Sequence, residues 1–316
     1  MLTRRTALTG GMVLAMTGTA HRVIAKASQP ATPVNFEVPA NACDCHTHIH
    51  GDVAQFPFFS GRVYTPEMAL PEEMSALHGK LGIKRVVIVT PSVYGADNSA
   101  TLYGMKARGA DARGVAVIDD KTSEQDLDAM HQAGIRGVRL NLTTGGINDP
   151  VVGRQRFEAA VNRIKGRNWH IQIYTNLTMI SAVKDLVLAS PLLVVFDHFG
   201  GARATLGVDQ PGFGDLLELV RAGKAYVKVS APYRSSSQAP DFADVAPLAK
   251  ALIATNADRV VWGTDWPHPD STTPAGKKTT DVTPLFQIDD GLLLSQLPTS
   301  EWSGPSSSRR APARAL

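Results

Sequence analysis

Short apolar runs alternate with amphipathic stretches along most of this 316-residue chain. Eight of these runs have the length and the apolar content of buried strands. They span Ala42–His48, Arg85–Thr90, Gly114–Ile118, Gly137–Asn141, His170–Thr175, Leu193–His198, Tyr226–Ala231 and Arg259–Thr264. The pattern therefore predicts eight short strands.

The stretches between the runs carry helical spacing of apolar residues. In one of them Ser123 and Asp126 have the spacing of a capping box, and Gly134 follows as a stop signal. The predicted helices are Pro66–Leu81, Ser123–Ala133, Phe157–Lys165, Thr178–Ala189, Phe213–Ala222 and Phe242–Ala254. Strand followed by helix, repeated, predicts parallel strands joined by crossovers, and eight such units match an α/β fold of the (β/α)8 TIM barrel type in a single domain. A doubly wound open sheet is the alternative, but no glycine-rich phosphate loop follows the first strand.

The two ends of the chain differ from this repeating pattern. Arg4 and Arg5 precede a weakly apolar stretch that ends in Ala25-Lys26-Ala27, which resembles a twin-arginine export signal with its cleavage site. We divide the chain into a signal at 1–27, an extended Pro-rich leader at 28–40, the barrel at 41–297 and an irregular tail at 298–316. The apolar stretch of the signal is too short and interrupted to span a bilayer. We therefore expect a periplasmic protein with no membrane span in its mature form.

Composition and charge narrow the class of protein. The chain is 43% hydrophobic and 19% charged, as is usual for a soluble globular enzyme. Removal of residues 1–27 takes away four basic side chains and no acidic one, which moves the formal net charge from +3 to −1. No basic stripe remains, so a nucleic acid or a membrane surface is not expected as a partner.

Two histidines close the first predicted strand. Alternation along a strand predicts that Asp44, His46 and His48 project to one face, and that Cys43 and Cys45 project to the other. Two imidazoles that converge on the same small volume indicate either a metal site or a site that transfers protons. The two cysteines lie about 6.5 to 7 Å apart in extended geometry, at the upper limit for a disulfide, so we expect reduced thiols in the core.

Polar residues recur where the later strands end, which is where barrel enzymes carry their active sites. They are Arg139 and Asn141, Gln172 and Tyr174, Asp197 and His198, Arg234, Asp265 and His268.

Three motifs in this order resemble those of the amidohydrolase superfamily, in its amidohydrolase-2 branch. His46-Thr47-His48 is similar to the strand-one H-x-H, Asp197-His198-Phe199-Gly200-Gly201 to the strand-six histidine, and Trp262-Gly263-Thr264-Asp265-Trp266-Pro267 to the strand-eight aspartate. Within that branch the chain most resembles the 2-pyrone-4,6-dicarboxylate lactonase group, which acts on carboxylated lactones without a divalent metal. Strand five supports this placement, because it offers Gln172 and Tyr174 where metal-binding relatives supply a histidine.

The resemblance implies a hydrolase that opens a carboxylated lactone. Asp265 would take a proton from water for attack on the ring carbonyl, and His46, His48 and His198 would stabilise the oxyanion. A small anionic lactone or carboxylate is the implied partner. Its implied contacts are Tyr64, Arg139, Tyr174, Arg234 and His268. Arginine suits a carboxylate because its planar fork grips two oxygens.

Three alternatives stay open. One is a metal-dependent amidohydrolase or decarboxylase that holds one Zn²⁺ through His46, His48, His198 and Asp265, and another is a lactone isomerase. A non-catalytic protein that binds small anions is the alternative of another class. The sequence does not indicate the oligomeric state.

The chain departs from the resemblance in two places. Gly200 and Gly201 stand where the lactonase group carries an arginine soon after the strand-six histidine, which leaves the substrate itself open. The tail lacks helical periodicity, so we expect disorder there and a frameshifted or truncated coding end.

Overall fold

The computed structural model describes residues 27–296. The predicted export signal at 1–27 lies outside the described residues apart from Ala27, and the predicted tail at 298–316 lies wholly outside them. The leader at 28–40 has no regular element, and its apolar side chains Val34, Phe36 and Val38 pack against the core.

Eight strands form one sheet in chain order, each beside the next along the sequence. They are β1 (Cys43–Thr47), β2 (Arg85–Val89), β3 (Ala112–Ala116), β4 (Ile135–Asn141), β5 (His170–Tyr174), β6 (Val194–Phe196), β7 (Ala225–Ser230) and β8 (Val260–Gly263). All neighbouring pairs are parallel. The eight predicted strands are therefore confirmed.

The sheet nearly closes on itself where β1 meets the chain just after β8. Thr47 bridges to Trp266 in parallel register. The backbone N–H of His48 donates to the carbonyl of Trp266 at 2.7 Å, and the N–H of Asp265 donates to the carbonyl of His46 at 2.8 Å. These bonds draw the carboxyl end of β1 and the chain after β8 together, so the barrel closes at the carboxyl ends of its strands.

A helix follows each strand and covers the outside of the barrel. The helices are α1 (Pro71–Leu81), α2 (Ser99–Arg108), α3 (Glu124–Gln132), α4 (Pro150–Ile164), α5 (Leu177–Ala189), α6 (Phe213–Arg221), α7 (Ala246–Asn256) and α8 (Asp290–Ser295). The structure is that of a (β/α)8 barrel, as predicted. None of the helices in residues 27–296 combines the length and hydropathy needed to cross a bilayer.

Two helices escaped the sequence-based prediction, and a third helix begins well before its predicted start. Helix α2 escaped prediction because its buried face consists largely of small residues such as Ala100, Thr101 and Gly104, which give little hydrophobic periodicity. The short helix α8 was also missed. Helix α4 begins at Pro150 rather than Phe157, because the Asp149 side chain caps it by accepting from the N–H of Val151.

Strand β1 does not alternate regularly, and the predicted facing of its first residues was wrong. The register with β2 shifts between Asp44 and Thr47, as it does at a β-bulge. Cys43 and Cys45 pack with interior residues of the barrel, whereas the Asp44 carboxylate accepts from His78 of α1. The bulge therefore places Cys45 and His46, which are adjacent in sequence, both inside the barrel. Both cysteines are free thiols, as expected.

A small second sheet joins two loops at the carboxyl ends of the strands. Thr65–Pro66, in the loop after β1, pairs with Val282–Thr283, in the loop after β8. The Thr65 hydroxyl also donates to the carbonyl of Thr279 at 2.7 Å. This sheet fixes the loop that carries Tyr64.

Candidate active site

Three imidazoles converge on one carboxylate oxygen at the catalytic end of the barrel. Asp265 Oδ1 lies 3.5 Å from His46 Nε2, 3.3 Å from His48 Nε2 and 3.8 Å from His198 Nε2. The two histidines of β1 are themselves 3.3 Å apart between their Nε2 atoms. All four side chains are buried or nearly so. The predicted catalytic residues, distant in sequence, are thus brought together.

Left-handed backbone turns deliver two of these side chains. His198 has φ +50° just after β6, and Asp265 has φ +67° just after β8. Such conformations are uncommon outside glycine and are found mainly where the surrounding structure imposes them, often at functional sites. Each turn directs its side chain back across the barrel mouth instead of outward.

The second oxygen of the carboxylate is held by two donors from the loop after β7. Asp265 Oδ2 accepts from the Tyr233 hydroxyl at 2.7 Å and from Arg234 Nε at 2.8 Å. The rest of the Arg234 guanidinium donates to the Pro269 carbonyl at 2.9 Å and to the Ser271 hydroxyl at 3.2 Å. Asp265 is therefore held by one oxygen and presents the other to the imidazoles.

This environment determines the charge of the carboxylate. Burial acts to raise the pKa of Asp265, but Arg234, His198 and His48 outweigh it and hold that pKa well below its usual value. The carboxylate is accordingly ionised at neutral pH.

The far nitrogens of two imidazoles have defined partners. His48 Nδ1 lies 2.7 Å from the Val89 carbonyl, which can only accept, so Nδ1 is the donor. His198 Nδ1 lies 2.9 Å from the Ser230 hydroxyl. Burial lowers the pKa of His198 to about 4, so this ring is neutral at pH 7.

Beneath His46 lies a buried polar cluster. Asp197 and Gln172 in it are strand-end residues singled out from the sequence, whereas Lys228 was not predicted. The Nδ1 atom of His46 is 3.2 Å from Asp197 Oδ1 and 3.3 Å from Lys228 Nζ. Gln172 joins the two, donating to Asp197 Oδ2 at 3.0 Å and accepting from Lys228 at 2.7 Å. Burial acts to raise the pKa of Asp197, yet His46, Lys228 and Arg139 hold it well below its usual value.

A signal for this cluster existed in the sequence. Lys228 is the single charged residue in the apolar run Tyr226–Ala231, which is an unusual place for a lysine. Tyr233, also missed, stands next to the predicted Arg234.

Three predicted substrate contacts surround the imidazoles. The ring of Tyr174 meets that of His198 edge to face, with centroids 5.1 Å apart. The guanidinium carbons of Arg139 and Arg234 lie 5.8 and 5.9 Å from the centroid of Tyr174. The two arginines therefore flank one aromatic ring, which itself packs against His198.

The other two predicted contacts are more deeply placed. Tyr64 is buried, and this burial raises the pKa of its hydroxyl. His268 is fully buried, pairs through Nε2 with Asp290 at 2.9 Å and lies edge-on to Tyr233. The structure thus places His268 in support of Tyr233, with its Nε2 directed at Asp290 and not toward the three imidazoles.

The central group also fits a metal ion in its donors and spacing. His46 Nε2, His48 Nε2 and Asp265 Oδ1 are separated by 3.3 to 3.5 Å. Ligands about 2.0 to 2.1 Å from a tetrahedral zinc ion are about 3.3 to 3.4 Å from one another. These three residues could therefore hold Zn²⁺, and His46, Asp197 and His198 form a second group of candidate ligands.

Comparison with known proteins agrees with this geometry. The model of the family described as Amidohydrolase matches residues 43–292. A 2-pyrone-4,6-dicarboxylate hydrolase of Comamonas testosteroni is 35% identical, over 86% of this chain and 87% of its own length. A 4-sulfomuconolactone hydrolase of Hydrogenophaga intermedia is 33% identical over 75% of this chain and 78% of its own. A crystal structure of an apo protein from Agrobacterium tumefaciens superposes with a TM-score of 0.65 at 28% identity, covering 75% of this chain and 87% of the other. The chain therefore belongs to the amidohydrolase family, and it is a hydrolase.

Proposed function

We propose that this enzyme hydrolyses a lactone that carries a carboxylate or a similar anionic group. The observation that carries the proposal is the state of Asp265, whose one oxygen is tied to Tyr233 and Arg234 while the other points at three imidazoles. A water molecule beside that free oxygen would lie next to the groups able to stabilise an oxyanion. The two relatives named as hydrolases of anionic lactones support the same reaction class.

The reaction follows from the chemistry of these groups. Asp265 accepts a proton from water as the water oxygen attacks the ring carbonyl, and imidazole N–H groups stabilise the negative charge that develops on the carbonyl oxygen. The ring C–O bond then breaks, and the departing oxygen takes up the proton. One lactone and one water give one hydroxy acid.

Arg139 is better placed than Arg234 to receive the anionic group of the substrate. The guanidinium of Arg234 is occupied by Asp265, Pro269 and Ser271. Arg139 donates a long 3.3 Å bond to the Thr90 carbonyl and lies 3.6 Å from Asp197 Oδ2, an ion pair without a hydrogen bond, and its buried Nε has no hydrogen-bond partner among the described residues. A buried donor without a partner is unfavourable, so a bound carboxylate would satisfy it.

The alternative hypothesis adds one divalent metal to this site. When bound, Zn²⁺ would polarise the carbonyl as a Lewis acid and would be held by His46, His48 and Asp265. We retain the metal-independent reaction as the prediction, because β5 offers Gln172 and Tyr174 in place of a histidine ligand. Periplasmic export likewise remains a proposal that rests on residues 1–27.

A screen of lactones in a pH-indicator assay tests the function. Carboxylated and sulfonated lactones should release acid with and without a chelator, while matched neutral lactones should react far more slowly. Loss of all activity in chelator, restored by Zn²⁺, would instead establish the metal-dependent alternative. Rearranged lactone without acid release would indicate an isomerase, and binding without any turnover would refute catalysis.

A further inference from the structure

Lys228 is buried in the barrel interior directly beneath the reacting centre. Its strand, β7, is otherwise apolar around it, and its side chain is only 2% exposed. Three acceptors surround its Nζ atom: Gln172 Oε1 at 2.7 Å, His46 Nδ1 at 3.3 Å and Asp197 Oδ1 at 3.4 Å. An ammonium group has three N–H donors, so the acceptors match the donors in number. Burying a lysine is unfavourable unless it is paired in this way.

The hydrogen-bond partners of His48 determine where the proton on His46 must be. His48 Nδ1 donates to the Val89 carbonyl at 2.7 Å, so in the neutral ring Nε2 carries a lone pair. That lone pair lies 3.3 Å from His46 Nε2. Two bare nitrogens at this distance repel each other, whereas an N–H facing a lone pair attracts. His46 Nε2 therefore carries the proton when no cation lies between the rings.

This assignment leaves His46 Nδ1 bare and in need of a donor. Lys228 supplies one at 3.3 Å, while Asp197, an ionised carboxylate, can only accept. In the opposite tautomer the Nδ1–H could donate to Asp197 Oδ1 at 3.2 Å, but it would also face the Lys228 ammonium at 3.3 Å. Bare atoms of His46, His48 and Asp265 would then meet at 3.3 to 3.5 Å, an arrangement that requires a cation at their centre.

We propose that Lys228 is a positioning residue that holds His46 in the tautomer with the proton on Nε2. His46 then acts as a hydrogen-bond donor toward the reacting carbonyl, and it is a poor ligand for a divalent metal, which needs that nitrogen bare. The role toward the carbonyl rests on the proposed lactone hydrolysis. The tautomer and the effect on metal binding do not depend on it.

The tautomer can be read directly in the unmodified protein without substrate. Long-range ¹⁵N–¹H correlation spectra of the protein labelled at its nine histidines distinguish protonated from bare ring nitrogens. The His46 signals are identified by their loss in His46→Gln. We expect a protonated Nε2 and a bare Nδ1, and the reverse pattern would overturn the proposal even if the lactone screen succeeds.

Two substitutions test the consequence. Lys228→Met removes the donor, and Lys228→Gln keeps an amide donor without the charge. If Lys228 selects the tautomer, Lys228→Met should bind Zn²⁺ about 10- to 100-fold more tightly by calorimetry, and Lys228→Gln should stay near the parent. With an active lactone in hand, Lys228→Met should lower kcat by about 10²- to 10³-fold with little change in KM, and Lys228→Gln should recover part of the loss.

The opposing results are equally distinct. Unchanged or weaker Zn²⁺ binding in a folded Lys228→Met protein would refute the proposal. So would equal losses of kcat in the two variants, because they would show that only charge matters. If Lys228→Met does not fold, as judged by circular dichroism, the tautomer measurement on the parent protein and the Lys228→Gln titration still decide.

Discussion

The substitution Asp265→Asn tests the central geometry because it changes chemistry while preserving shape. Asparagine adopts the left-handed φ of +67° at this position more readily than most residues. Its carbonyl oxygen can keep the bonds from Tyr233 and Arg234, and its NH₂ group would then face the bare Nε2 of His48, now 3.3 Å from the carboxylate. The variant should therefore fold.

The expected magnitudes separate catalysis from stability. A hydrogen bond to a charged group contributes about 1.5 to 3 kcal/mol and a neutral one about 1 kcal/mol, so the weakened pairing with Arg234 should lower the free energy of unfolding by about 1 to 2 kcal/mol. Loss of a positioned base should lower kcat by about 10²- to 10⁴-fold, or roughly 3 to 5 kcal/mol in the barrier.

The pH dependence of the stability difference follows from the depressed pKa of Asp265. An acid with a lowered pKa in the folded state stabilises the fold above its unfolded pKa of about 3.9, and this contribution is lost as the pH falls through the folded value. The difference between parent and variant should accordingly be the same at pH 7 and pH 5. It should begin to shrink as the pH falls below about 4 and should be lost below the folded pKa.

Two measurements on the same samples check these values. Urea unfolding gives the stability at pH 7 and pH 5, and the pH-indicator assay gives kcat and KM on the best lactone. Asp185→Asn, the same chemical change at an exposed ion pair of α5 with Arg154, serves as the matched control and should alter neither. A folded Asp265→Asn enzyme that retains more than about a tenth of the parent kcat would refute the role of Asp265 as the base.

Three further predictions concern the anion contact, the seam of the barrel and the export signal. Arg139→Met should raise KM for anionic lactones about 10- to 100-fold, because charge-assisted hydrogen bonds to the substrate are lost. Arg136→Met, at the other end of β4, is the control and should leave KM unchanged. Equal KM values for the two variants in initial-rate assays would rule out Arg139 as the anion contact. A Cβ at Gly263 would lie 2.7 Å from the backbone nitrogen of His46, so Gly263→Ala should lose about 1 to 3 kcal/mol in urea unfolding. Gly214→Ala, which meets nothing within 4 Å, should lose none, and equal stability of the two variants would contradict the close approach of β1 and β8. Changing Arg4 and Arg5 to lysine should retain the protein in the cytoplasm on fractionation, and unaltered export would exclude a twin-arginine signal.

Most of the strands and helices could be predicted from the sequence, because they depend on local patterns of residues. A pattern of a few residues predicts a buried strand such as Val86–Val89. It also predicts a capped helix such as α3, where the Ser123 side chain accepts from the N–H of Asp126. Helix α2 could not be predicted in this way, because it packs closely on the barrel through Gly104, where an added Cβ would lie 2.6 Å from Ile49. Small residues of this kind allow close packing between elements but add no apolar periodicity to the sequence.

The site could be predicted only in part, because some of its features depend on contacts between distant segments. His46, His48, His198 and Asp265 stand at strand ends in recognisable motifs, so their meeting could be expected from the barrel alone. The bulge in β1 could not, because it arises from register with β2 and reverses the facing of Cys43, Asp44 and Cys45. The same holds for the burial of His268 against Asp290, residues brought together by the packing of α8.

The sequence by itself thus determined the repeating strand and helix units, the mouth of the barrel at which the chemistry gathers, and the family motifs. These follow from periodicity and residue type, which act over short stretches of chain. Tertiary structure alone decided the partners and the orientation of the site residues: Tyr233 and Arg234 on one oxygen of Asp265, and Lys228 beneath His46. Hydrogen bonds and charge interactions of this kind depend on distances of a few ångströms between residues far apart along the chain, and only the closed barrel sets those distances.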